Sequence, residues 1–86
     1  NVANVILHDS TGQAVPVSSQ VRGTSGGDTL VGYDGLAYLE GLRRDNTLTV
    51  TAPDGRRCQV DLHADRKNSG RLETYGPLIC RWQETP

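Results

Sequence analysis

Phenylalanine and methionine are absent from this chain, and tryptophan occurs once. A core built on large aromatic rings is excluded, so burial must come from Val, Leu and Ile with a few Tyr. Those residue types suit strands better than helices. An excess of either charge is also missing: nine Lys and Arg face ten Asp and Glu, for a net charge of −1. Nothing in that balance marks a nucleic-acid or anionic-membrane footprint. No apolar run approaches the roughly 20 residues that a membrane-spanning helix needs. A start methionine and a signal peptide are missing at Asn1, so the chain reads as a fragment of a longer, processed protein. The parent can therefore still be a membrane protein.

Cysteine is scarce, at two residues, Cys58 and Cys80. Zinc needs about four ligands, and His8 and His63 do not stand at finger-like spacing from them. There is no Cys-x-x-Cys redox pair. One disulfide is the simplest reading, and it places the protein in an oxidising compartment. The chain has 86 residues, enough for one domain spanning 1–86. A domain this short buries only about 60–65% of its unfolded surface, so a covalent staple matters. The chain-entropy argument credits this one with about 3 kcal/mol.

What is present is a series of short apolar runs, broken by turn residues every 8–12 positions. Val2–His8 is the first expected strand, and Asp9-Ser10-Thr11-Gly12 a turn. Val15, Val17, Ser19 and Val21 alternate with Pro16, Ser18 and Gln20, as in a half-buried strand. Pro16 cannot donate to a ladder, which places that strand at an edge or makes it begin irregularly. Arg22–Asp28 reads as a loop. Thr29–Tyr33 and Leu36–Glu40 flank Asp34-Gly35, a strong hairpin signal. Thr47–Ala52 and Arg56–His63 flank Pro53-Asp54-Gly55, with Leu48, Val50, Cys58, Val60 and Leu62 facing inward. Ala64–Gly76 is polar and without period; a single helical turn there would let Leu72 and Tyr75 touch the core. Pro77–Trp82 is the last short strand. The expected fold is all-β: a small antiparallel β-sandwich of six to seven strands with one disulfide.

Catalytic chemistry finds little support. No serine lies in a Gly-x-Ser-x-Gly elbow, and His8 and His63 read as solvent-facing residues at strand ends. Gly23–Gly27 lacks the Lys-Ser/Thr of a phosphate loop, and no acid cluster has calcium-loop spacing. No enzyme, metal or cofactor is expected. The residues that remain suit contact with a partner: the adjacent Arg43 and Arg44, together with Tyr33 and Trp82. Each also has a plainer reading: a solvated rim for the arginines, and a lid over the open end of the core for Trp82.

The run Val31-Gly32-Tyr33-Asp34-Gly35-Leu36-Ala37-Tyr38-Leu39-Glu40-Gly41-Leu42 resembles the Val-Gly-x-x-Gly-x-x-Tyr-Leu-x-Gly-Leu segment near the end of fimbrial ushers. Gln13-Ala14-Val15-Pro16-Val17 resembles the Leu-Pro-Phe-Gly-like stretch before it, although Val17-Ser18 stands where many relatives have Phe-Gly. Leu48-Thr49-Val50, Gly55-Arg56-Arg57-Cys58 and Pro77-Leu78-Ile79-Cys80-Arg81 are similar to the strand pair and closing strand that carry the family's two cysteines. The order and spacing agree over nearly the whole chain. The wording of 31–42 is most similar to ushers of the archaic, spore-coat-U-like pilus group.

This resemblance implies a parent β-barrel in the bacterial outer membrane, with this domain on its periplasmic side. It implies binding of a periplasmic pilus chaperone and chaperone–subunit complexes during pilus assembly and secretion, and contact with the usher plug or other usher domains. No cofactor and no nucleic acid enter that role. A polar, mixed-charge exterior is expected to give weak, reversible capture. The rival reading is a structural or adhesive β-sandwich module of a surface or periplasmic protein.

Overall fold

The computed structural model describes residues 2–24, 27–64 and 72–83. The chain forms β1 (Ala3–Asp9), β2 (Gln20–Arg22), β3 (Asp28–Leu30), a 3-10 turn (Tyr33–Gly35), β4 (Leu36–Leu39), β5 (Asp45–Thr51), β6 (Arg57–His63) and β7 (Glu73–Cys80). One sheet has the order β4-β1-β7 and the other β3-β2-β5-β6. Together they make the expected β-sandwich, with an apolar layer between them. Ala3, Val5, Leu7, Ala37 and Leu39 come from the first sheet, and Val21, Leu48, Val50, Val60 and Leu62 from the second. Burying one such Val or Leu contributes about 1.5–3 kcal/mol.

The β5–β6 hairpin forms as its sequence suggests. Thr51 stands opposite Arg57 and Val50 opposite Cys58. Asp54 shapes the turn: its carboxylate accepts the Arg56 backbone N–H (3.1 Å) and pairs with the Arg56 Nε (2.7 Å). Cys58 and Cys80 are bonded, joining β6 of one sheet to β7 of the other.

Five readings of the sequence need correction. Residues 15–21 are not one strand: Pro16 and Ser19 close a turn, with the Ser19 N–H and hydroxyl both donating to the Pro16 carbonyl at 3.1 and 2.7 Å. Ladder pairing resumes only at Gln20. Ser18, at i+2 of that turn, has φ +71°, so the chain leaves the extended path there. Asp34-Gly35 does not join a hairpin either. The strands on its two sides belong to different sheets, β3 pairing with β2 and β4 with β1. The real hairpin is β2–β3, closed by Gly23 N–H to the Gly27 carbonyl at 3.1 Å, within the segment read as a loop.

The last strand starts four residues earlier than expected, at Glu73, so there is no helical turn at Glu73–Gly76. Residues 65–71, where the rest of that reading falls, lie outside the described residues. Finally, all strand pairs are antiparallel except β1–β7, which is parallel. The chain leaves β6, crosses to the other sheet and re-enters at the end where β1 begins, opposite Ala3. Direction follows from that crossing, which strand periodicity does not record.

Candidate functional surfaces

The four residues expected to touch a partner do not converge. Strand directions place Tyr33 and Trp82 at the end of the sandwich that holds the disulfide. Arg43 and Arg44 sit at the opposite end, between β4 and β5. Tyr33 is 88% exposed, on a turn seated against the middle of β1. Trp82 is partly buried and packs against the core. Its outer side carries the Arg56 guanidinium, 4.4 Å from the ring centroid. The next residue, Gln83, donates its N–H to the Arg57 carbonyl at 2.7 Å and pins this end of the chain to β6.

Two acids stiffen the turns at the disulfide end. Asp9 accepts the Thr11 hydroxyl (2.6 Å) and the N–H groups of Thr11 (2.9 Å) and Gln13 (3.1 Å). The Thr11 hydroxyl is the chief cause holding the Asp9 carboxyl below the usual range. For Asp54 the chief cause is the Arg56 backbone N–H. Arg56 adds positive charge beside both.

At the other end the corner Gly41–Arg44 is held from below by a buried amide. Asn46 is 5% exposed. Its Oδ1 accepts the Arg43 N–H (2.9 Å), and its Nδ2 donates to the carbonyls of Arg43 (2.7 Å) and Leu62 (3.2 Å). The Ala64 N–H donates to the Arg44 carbonyl at 2.8 Å. Sequence reasoning missed Asn46, yet it shares strand parity with Leu48 and Val50. That parity is the signal that would have found it.

The two outer faces differ. On the four-stranded sheet, Gln20, Arg22, Thr49, Thr51 and Arg57 line a polar groove, and Arg22 pairs with Asp28 at 3.1 Å. On the three-stranded sheet the register puts Tyr38, Asn4 and Thr74 in one row, Leu36 beside Ile6 in the next, and His8 beside Ile79. None of these is Asp, Glu, Lys or Arg. Leu36, Tyr38 and Ile79 are 40%, 45% and 44% exposed. The expectation of a uniformly polar, mixed-charge exterior therefore fails on this face. Its signal lies in Val5-Ile6-Leu7 within β1 and in Leu36-Ala37-Tyr38-Leu39, stretches apolar at every position rather than at alternate ones.

Catalytic groups do not gather on either face. His63 Nδ1 pairs with Asp45 at 2.5 Å, and His8 sits opposite Ile79. Among the described residues no three His, Cys, Asp or Glu side chains stand close enough to hold a metal ion. No described helix is long and apolar enough to cross a membrane.

Solved structures share this architecture. One is the Caf1A usher C-terminal domain, on which conserved surface hydrophobic clusters are important for F1 antigen assembly. It is 21% identical with a TM-score of 0.75, over 93% of this chain and 98% of that one. A crystal structure of the PapC usher C-terminal domain is 26% identical with a TM-score of 0.71, over 94% and 99%. A second PapC usher structure, reported with the structural homology between that C-terminal domain and the usher's plug, is 25% identical at 0.69, over 96% and 94%. No curated protein sequence matches. The family model described as the PapC C-terminal domain matches residues 4–66, most of the chain, so the chain belongs to that family and is the C-terminal domain of a chaperone–usher pathway usher.

Proposed function

We propose that this domain captures chaperone–pilin subunit complexes on the periplasmic side of the outer membrane, through the outer face of its three-stranded sheet. The observation that carries this is the uncharged stripe of Leu36, Tyr38, Ile6 and Ile79. Contiguous exposed apolar surface on a small soluble domain marks a contact site. In the Caf1A usher domain, surface hydrophobic clusters are important for F1 antigen assembly. The stripe is the feature of this chain suited to the same use.

The work is binding and release, so the domain acts as an assembly module and not as an enzyme. Donor-strand exchange between subunits supplies the free energy, and the domain holds each complex while the next subunit is joined. Repeated release calls for affinity no tighter than about micromolar, near −8 kcal/mol. The assignment to the archaic, spore-coat-U-like group is part of this proposal and rests on the wording of Val31–Leu42.

Titration of the domain with a chaperone–subunit complex of its own pilus system tests the reading. Leu36→Asp with Tyr38→Asp should weaken binding at least about tenfold, or about 1.4 kcal/mol. Wild-type binding that survives both changes would move the contact elsewhere. Absence of binding by a natively folded domain would sink the capture role. A matching titration with the usher's plug domain tests the alternative occupant of the same face.

A further inference from the structure

We propose that the corner between β4 and β5 is a preformed carboxylate-binding site, in which Asn46 fixes the backbone of Arg43 and Arg44 so that their guanidiniums capture an acidic segment of a partner protein. The inference does not rest on docking at the sheet face, and it adds the chemical class of a second contact at the far end of the domain.

The case begins with the cost of the arrangement. A buried amide is tolerated only when its polar atoms are bonded. Asn46 meets that condition by clamping the N–H and the carbonyl of one residue, Arg43, and by tying that residue to β6 through Leu62. Ala64 fixes the next residue through the Arg44 carbonyl. Both backbones are set, while both side chains are exposed.

Their charge is not used within the described fold. The side-chain pairs there join Arg22 to Asp28, Arg56 to Asp54 and His63 to Asp45. Asp45 follows Arg44 directly, yet its carboxylate is turned across the hairpin to His63. Each guanidinium carries a planar fork of N–H donors that matches a carboxylate.

The surroundings favour a glutamate or aspartate side chain over a bare inorganic anion. Arg44 borders an open cleft of about 480 Å³ that it shares with His63, Ala64 and Tyr75. Ala64 and Tyr75 line the same cleft and offer carbon contacts to the methylene stem of an acidic residue. The backbone is already ordered on the domain's side, so capture has only side chains left to order there.

Amide NMR of the domain, titrated with a tetraglutamate peptide, tests this. Tetralysine peptide and inorganic phosphate are the comparison probes. The expected result is saturable shifts at Arg43, Arg44, Asn46 and Ala64 with the acidic peptide. These should weaken between low salt and about 0.15 M, where the Debye length is about 8 Å. Arg43→Glu with Arg44→Glu should lower affinity at least tenfold, and both positions are exposed, so folding is not at issue. Asn46→Ala should lower it about fivefold, an effect to compare with Leu48→Ala brought to the same urea midpoint. Equal loss in those two variants would show that Asn46 acts only through stability and would overturn its positioning role. Shifts spread evenly over Arg22, Arg57 and Arg81 would overturn the site. Phosphate binding as tightly as the acidic peptide would overturn the chemical class.

Discussion

Gly35 lies against the backbone of Leu7: a Cβ on Gly35 would stand 2.2 Å from the Leu7 carbonyl oxygen. The same residue has φ +77°, a conformation that side chains resist. The 3-10 turn before β4 thus presses on the middle of β1, and this contact carries Tyr33 out into solvent. Gly35→Ala is therefore expected to cost at least about 2 kcal/mol, the upper part of the left-handed penalty alone. Thermal melting should show a fall of roughly 10 °C or more. Asp34→Gly is the control, because Asp34 also has positive φ, at 55°, but is exposed. That change should be neutral or slightly stabilising, and parity between the two variants would rule out the close approach.

The link between Cys58 and Cys80 spans 22 positions of sequence and crosses from one sheet to the other. Among the described residues, β7 pairs in its sheet with β1 alone. Cys58→Ala with Cys80→Ala should lose about 3 kcal/mol of unfolding free energy, as chain entropy gives for a loop of that size. Total stability in such a domain is near 5 kcal/mol, so the double variant should be close to half unfolded in mild urea. A loss under about 1 kcal/mol would show that β7 is held by its ladder and the core alone.

How far the sequence reveals this fold depends on whether a signal is local. The β5–β6 hairpin was legible because Pro53-Asp54-Gly55 and the alternation around it describe one contiguous unit. Asp34-Gly35 carries the same kind of signal, but a tight turn does not say whether its flanking strands will pair. Here Gly35 serves packing against Leu7 instead. The parallel match of β7 to β1 was not legible, since strand direction is set by a crossing between sheets. For the site, residue type gave Arg43 and Arg44 as contact candidates. Their fixed backbone comes from Asn46, whose buried place follows from a strand that begins two residues before the expected start at Thr47. The apolar outer face was written in Leu36-Ala37-Tyr38-Leu39, where loss of alternation means both faces are apolar.

Acid should loosen the disulfide end first. Asp9 and Asp54 both have carboxyls depressed in the folded state. A depressed group contributes stability that is present above its unfolded pKa, about 3.9, and is lost as pH falls through the folded value. Stability should therefore hold flat above about pH 5 and fall below about pH 4. Asp9→Asn with Asp54→Asn should flatten that acid limb, read as melting temperature against pH. An unchanged limb in the double variant would assign acid lability to other carboxylates. Above pH 5 the double variant should be less stable than the parent, because the Thr11 and Arg56 contacts weaken at all those pH values.

Trp82, the lone tryptophan, reports on its own packing. One side of the indole meets the core and the other carries Arg56, whose Nε is also held by Asp54 at 2.7 Å. The guanidinium is stacked over the ring and oriented by an acid, which favours a cation–π contact worth about 0.5–1 kcal/mol at a partly exposed site. Arg56→Ala should uncover the ring, shift its emission to longer wavelength and cost about that much stability. Arg56→Lys keeps the charge but not the planar stack, so its emission should fall between the two. Because Arg56 also lowers the Asp9 and Asp54 carboxyls, Arg56→Ala should move the acid limb of the melting curve as well, coupling an optical change to a pH change. Emission identical in Arg56→Ala and parent would show that the guanidinium does not shield the ring, and this end of the domain would then be closed by the core side of Trp82 and the Gln83–Arg57 hydrogen bond alone.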